Sequence, residues 1–276
     1  MKFNHPYHLV SLSPWPLLNS FCLLIFMFSS LKFMHDFNMI LLLISFILLI
    51  LINFQWWRDV IREGTFQGVH TFNVMKMLRL GMIMFILSEL MFFLSFFWCY
   101  FHMNLSPSVE IGSIWPPNFI MVFNPFNIPL LNTIILLSSG VSITLCHHSI
   151  LNKKLFMSNL SIFITLFLGM IFTFFQYMEY KESYFSISDS VYGSIFFMAT
   201  GFHGIHVIIG TLFIMVSYLR LLSSHYSMNH HLGFEASSWY WHFVDVVWLF
   251  LYIFIYWLSF YLYSMKSIFN FQLKGL

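Results

Sequence analysis

The chain has 276 residues, 59% of them hydrophobic, 21% aromatic and only 8% charged. Soluble domains carry roughly 25% charged residues, so this chain lacks the polar surface needed to face water on every side. A net charge of +2 gives no reason to expect nucleic acid, and Cys22, Cys99 and Cys146, each alone in its own apolar run, support no disulfide, cysteine-zinc or c-type haem framework.

Apolar runs long enough to cross a hydrocarbon layer of roughly 30 Å recur along the whole length. The class is therefore all-α: a polytopic membrane protein, read as a single integral-membrane domain over residues 1–276. The opening MKFNHPYHLVSLSPWP is neither an arginine-rich transit peptide nor a cleavable signal, so insertion is expected to use the spans themselves. Seven spans are predicted, at about 15–34, 38–57, 79–102, 128–151, 156–178, 191–222 and 236–263. Proline and polar stretches separate them, including PSVEIGSIWPP at 107–117 and SISDS before span six.

Seven spans put the termini on opposite sides. Lys2, Arg58, Arg62, Lys76, Arg79, Lys153, Lys154 and Arg220 fall on the side of the N-terminus, against Lys32, Lys181, Lys266 and Lys274 on the other. The positive-inside bias makes the first side the inner one. Trp15, Trp56, Trp57, Trp115, Trp239 and Trp257 lie near span ends, where interfacial anchors belong.

The densest polar segment is QWWRDVIREGTFQGVHT at 55–71, after span two. Its Arg58, Asp59, Arg62 and Glu63 alternate in sign and suit a short helical extension above the interface. The two arginines with Trp56 and Trp57 could hold a phosphate head group, or the charges could pair among themselves. In span three, Gly81, Ser88 and Ser95 repeat every seven residues. In span six, Gly193, Thr200, Gly204 and Thr211 form a second stripe of small side chains. Such stripes let helices approach closely, so both spans are expected in a bundle interior.

Glu89 stands inside LSELMFFLSFF, near the middle of span three. A charged group at such a depth costs roughly 2.5–3.5 kcal/mol on insertion scales. Either the acid touches a proton path, a lipid head group or a water-lined cleft, or it is a protonated acid hydrogen-bonded between helices. His203 and His206 in span six, with the pairs His147–His148 and His230–His231, invite a metal reading. No second helix supplies a matching pair at the depth of His203 and His206, and the adjacent pairs fit interfacial hydrogen bonding. In span seven His242 and Asp245 are three apart and should pair on one helix face. No nucleotide-binding, hydrolase or metalloprotease motif occurs. A stand-alone haem or metal enzyme built on His203 and His206, and a transporter using Glu89 as coupling acid, are the competing classes.

Several long strings are family-specific: SPWP (13–16), QWWRDVIREGTFQGVHT (55–71), RLGMIMFILSELMFFLSFFW (79–98), WPP (115–117), NTIILLSSGVSITLCHHS (132–149), ISDSVYGSIFFMATGFHGIHVIIG (187–210) and NHHLGFEASSWYWHFVDVVWLFLYIFIYW (229–257). In order and spacing the chain resembles mitochondrial cytochrome c oxidase subunit III. Its phenylalanine- and methionine-rich composition, with alanine only at Ala199 and Ala236, looks like the product of an AT-rich mitochondrial genome.

The resemblance implies seven helices in two bundles, helices 1–2 and helices 3–7, with a lipid-filled V-shaped cleft. It implies the mitochondrial inner membrane, with the N-terminus in the matrix and the C-terminus in the intermembrane space. It also implies an enzyme subunit with no catalytic residue, cofactor ligand or metal ligand of its own; haem a and copper reside in partner subunits. Subunits I and II, nuclear-encoded accessory subunits and structural phospholipids are the implied partners. The implied role is support of assembly, stability and proton uptake. Glu89 matches the family's buried acid facing the lipid cleft. Trp57, His70 and Arg220 stand where phospholipid head groups are contacted, with Arg62 added by the reading of its loop. After Trp257 the chain runs beyond shorter family members, as either a lengthened last helix or a tail.

Overall fold

The computed structural model describes residues 6–118 and 120–274, with side chains described through residue 266. Lys2, counted above, and the side chain of Lys274 lie outside the described residues. Among the described residues, seven helices are long and apolar enough to span a membrane, as the hydropathy pattern predicts.

The first compact unit covers Met1–Leu80. Helix α1 (Trp15–Asp36) and helix α2 (Met39–Thr65) fold back on each other through a tight turn. Phe37 takes the left-handed conformation with φ 53°, and its N–H caps the Phe33 carbonyl at 2.9 Å. Asn38 then opens α2 by accepting the Ile40 N–H at 3.0 Å. Where the helices touch, the buried hydroxyls of Ser29 and Ser45 meet at 2.7 Å. Small polar residues of this kind hold membrane helices together where burial of apolar surface cannot. Most leucine, isoleucine and phenylalanine side chains of both helices face outward, as lipid requires.

Helix α2 continues past residue 57 through Thr65. A helix satisfies its backbone internally, so charged residues end the apolar window without ending the helix. The charged extension ties down the N-terminal segment. Trp15 Nε1 donates to Asp59 at 2.8 Å, Ser11 donates to Glu63 at 3.1 Å, and Thr71 donates to the Pro6 carbonyl. Helix α3 (Phe72–Leu105) likewise begins earlier and ends later than the apolar window.

The second unit runs from Gly81 to Leu276. It contains the rest of α3, then α4 (Ile128–Leu151), α5 (Leu155–Lys181), α6 (Ser190–Leu222) and α7 (Leu232–Leu251). Helix α7 passes through a π-helical turn, Tyr252–Leu258, into α8 (Ser259–Lys274), so the residues after Trp257 lengthen the last helix. Helices α4, α5, α6 and α7 close a ring in which each packs on the next and α7 returns to α4.

Trp241 is the centre of that ring. It projects from α7, donates its indole N–H to Ser139 Oγ on α4 at 2.9 Å, and is fully buried. A Cβ on Gly169 of α5 or Gly210 of α6 would lie 2.9 Å from the indole ring, so glycine at both positions makes room for it. This corrects the expected span-three stripe and the Gly204 position of the span-six stripe, whose Thr211 does lie against Gly169. A Cβ on Gly204 or Gly81 would meet nothing within 4 Å, and Ser88 and Ser95 are exposed, each bonded to its own helix. Of the span-six stripe, Gly193 packs against the Ser186 carbonyl, and buried Thr200 accepts from Tyr180 at 2.7 Å. Spacing identified small residues on a face, but which face meets a bulky neighbour depends on helices elsewhere in the chain. Trp115, expected as an interfacial anchor, is buried between Tyr100 and Tyr192.

Candidate functional site

Glu89 has a partner. Its Oε2 lies 3.0 Å from His206 Nε2, joining α3 to α6. On the far side of the ring, His206 Nδ1 lies 2.7 Å from the Phe202 carbonyl oxygen one turn earlier. A carbonyl only accepts, so Nδ1 carries a hydrogen and Nε2 is left to interact with the acid. One proton must lie between Nε2 and the carboxyl oxygen, as O–H···N or as N–H···O. The pair is electrically neutral overall in either form.

The surroundings are apolar. The Phe93 ring lies 5.0 Å from the His206 ring, with Phe92, Tyr240 and Phe243 at 6.3–6.4 Å. The Glu89 side chain keeps 26% of its exposure and His206 only 10%, so the acid is the more accessible member. An open apolar groove of about 260 Å³ is lined by Ile83, Ile86, Leu87, Leu90 and Trp239, with Leu90 next to Glu89 in the chain.

The other expected polar groups separate into distinct settings. His203 is fully buried against Phe172 and Trp248, with neither ring nitrogen hydrogen-bonded among the described residues. His242 Nδ1 and Asp245 Oδ2 share a helix face at 3.9 Å, longer than a hydrogen bond. A Cβ on Gly140 would lie 2.8 Å from that Asp245 oxygen, so the carboxylate rests on the bare backbone of α4.

Trp57 is exposed, and Arg62 points outward at 3.8 Å from Asp59. Arg58 reaches the same carboxylate at 3.2 Å, so the loop's charges are partly self-paired. The His70 ring covers Gly64, where a Cβ would approach to 2.7 Å. Arg220 stacks over the Tyr226 ring at 4.7 Å and lies against Gly233, whose Cβ would run into the guanidinium.

One buried acid escaped the sequence reading. Glu179, at the end of α5, is 1% exposed and accepts from Tyr256 Oη at 2.6 Å, with its second oxygen unbonded among the described residues. Its position beside Lys181 reads as a span end facing water. The signal available was the tyrosine-rich stretch YIFIYW, which carries the π turn.

Comparison with known proteins gives this geometry a family. The model of cytochrome c oxidase subunit III matches residues 5–260. The chain belongs to that family. Cytochrome c oxidase subunit 3 of Drosophila melanogaster is 56% identical over 90% of this chain and 95% of the fly protein. The protein of the same name from Anopheles gambiae is 54% identical with the same coverage, and that from Prototheca wickerhamii is 55% identical, again over 90% and 95%. As a subunit III family member, the chain carries its Glu89–His206 pair within a seven-span body matched nearly end to end.

Proposed function

We propose that this chain is the non-redox core subunit of respiratory cytochrome c oxidase in the mitochondrial inner membrane, with its N-terminus in the matrix. It supports assembly, stability and proton uptake of catalytic subunits I and II, which hold haem a and copper, while oxygen is reduced and protons are pumped. Nuclear-encoded accessory subunits and phospholipids complete its surroundings. The observation that carries the reading is the 54–56% identity, over 90% of this chain, with the subunit 3 proteins of Drosophila melanogaster, Anopheles gambiae and Prototheca wickerhamii.

The site chemistry agrees. His206 has both ring nitrogens engaged, by Glu89 and by the Phe202 carbonyl, which suits a fixed polar pair better than a haem ligand. Glu89 is the acid beside bound lipid. Trp57, Arg62, His70 and Arg220 are head-group contacts, supported by the outward setting of Trp57 and Arg62 and by arginine's suitability for phosphate. The His242–Asp245 face helps fix the rotation of α7.

Selective removal of the chain from the purified complex tests the proposal. The depleted complex should keep its haem and copper spectra but lose oxygen consumption faster during sustained turnover. The separated chain should be colourless. A stoichiometric haem band in the separated chain, or turnover as durable without it as with it, would overturn the reading.

A further inference from the structure

Three metal-ligating side chains outside the Glu89–His206 pair converge where α4 ends and α7 begins. His147 lies in the last turns of α4, His231 is the residue that caps α7, and Glu235 is in the first turn of α7. One ligand atom from each lies within 4.8 Å of the other two. His147 Nε2 is 3.2 Å from His231 Nε2, which is 3.2 Å from Glu235 Oε1. His231 is buried, and the other two are half-buried.

The state of His231 is set from behind. Its Nδ1 lies 3.0 Å from the Ser227 carbonyl oxygen, which can only accept, so Nδ1 carries the ring hydrogen. In neutral imidazole Nε2 then offers a lone pair, and it faces both a carboxylate oxygen and a second imidazole nitrogen. Electron-pair donors so arranged repel unless a proton or a metal cation lies among them. A histidine whose second nitrogen is held by a carbonyl is also the usual setting of a metal ligand.

We propose that His147, His231 and Glu235 form a zinc site with a fourth position open. Two imidazoles and a carboxylate suit zinc better than the all-oxygen cations. Tetrahedral zinc bonds of about 2.0–2.1 Å place ligand atoms about 3.3 Å apart. Two separations already stand near that value, and only the His147–Glu235 distance must shorten, by rotation of a flexible glutamate. The assignment replaces the expectation that these histidines serve interfacial hydrogen bonding alone.

The test uses the intact oxidase complex, washed with a chelator that spares haem and copper and then soaked in zinc chloride. Anomalous diffraction at the zinc edge should show a peak within about 2.0–2.2 Å of all three side chains. The His231→Gln complex should lack that peak and keep its other metals. Its affinity at this site should fall by more than about 100-fold, beyond the 10–100-fold that orienting partners alone contribute. Glu235→Gln, which keeps side-chain length, should weaken zinc at least about tenfold and serves where His231→Gln does not assemble. The proposal is overturned by a zinc-soaked wild-type complex with no peak, whose cluster is then held by a proton on His231. Zinc binding unchanged in either variant would overturn it as well.

Discussion

Glu89 and His206, from α3 and α6, share one proton across 3.0 Å because the Phe202 carbonyl commits the other ring nitrogen to donating. Glu89→Gln supplies an amide N–H to the same lone pair, so assembly and electron transfer should be nearly intact. His206→Leu strands the carboxyl instead, at a cost of about 1–3 kcal/mol, toward the lower end because the acid is partly accessible. Thermal denaturation of the complex and its yield on native gels check both. Loss of assembly in Glu89→Gln as severe as in His206→Leu would show that the ionised acid is structural.

What the sequence displayed and what it concealed follow from the range of each interaction. Seven spans were legible because hydropathy is local, and Glu89 was legible because a lone acid stands out in an apolar run. Its partner was not, since His206 lies 117 positions away. The register between α3 and α6 is set by Phe92 and Phe93 packing on Phe202 and His206. The span-three stripe and Gly204 failed for the same reason, whereas Gly193, Thr200 and Thr211 of the span-six stripe do pack closely on their neighbours. Gly169 and Gly210 matter because Trp241 of α7 lies over them, and no spacing within α5 or α6 announces that. The helical extension past residue 57 was legible in the alternating charges of Arg58, Asp59, Arg62 and Glu63, and a lengthened last helix was one of two readings after Trp257. The start of α3 at Phe72 was hidden because charge ends an apolar window while leaving the helix intact.

Trp241 makes the bundle centre testable. Gly210→Ala places a Cβ 2.9 Å from the indole, and overfilling of this kind costs about 1–3 kcal/mol. Gly204→Ala enters open space within this chain and should leave stability unchanged. Paired melting curves of the two variants in the assembled complex decide the matter. Equal losses would mean that Trp241 is not the packing centre of the bundle.

Tyr256 supplies the hydrogen bond to Glu179 recorded at that buried end of α5. Tyr256→Phe keeps the ring contacts with Phe196 and Trp248 and deletes only the hydroxyl. The stranded acid should lower stability by about 1–3 kcal/mol, read as a fall in the melting temperature of the complex. Tyr252→Phe is the control, because that hydroxyl makes only a 3.4 Å contact to the Pro125 carbonyl. A Tyr256→Phe complex as stable as the control would mean that Glu179 finds another donor.

The N-terminal segment is held to α2 by Trp15 Nε1 on Asp59 and by Ser11 on Glu63. Trp15→Phe keeps an aromatic ring at the span end and deletes the N–H that reaches Asp59. The effect should be local, because the Ser29–Ser45 contact that joins α1 to α2 lies toward the turn at the opposite end of the pair. Amide exchange of residues 6–14 should quicken severalfold, while exchange in the span of α1 stays as in the wild type. Ser11→Ala should act in the same direction more weakly, since its bond to Glu63 is exposed. Exchange that quickens through all of α1 would mean instead that the indole N–H holds the helix pair together.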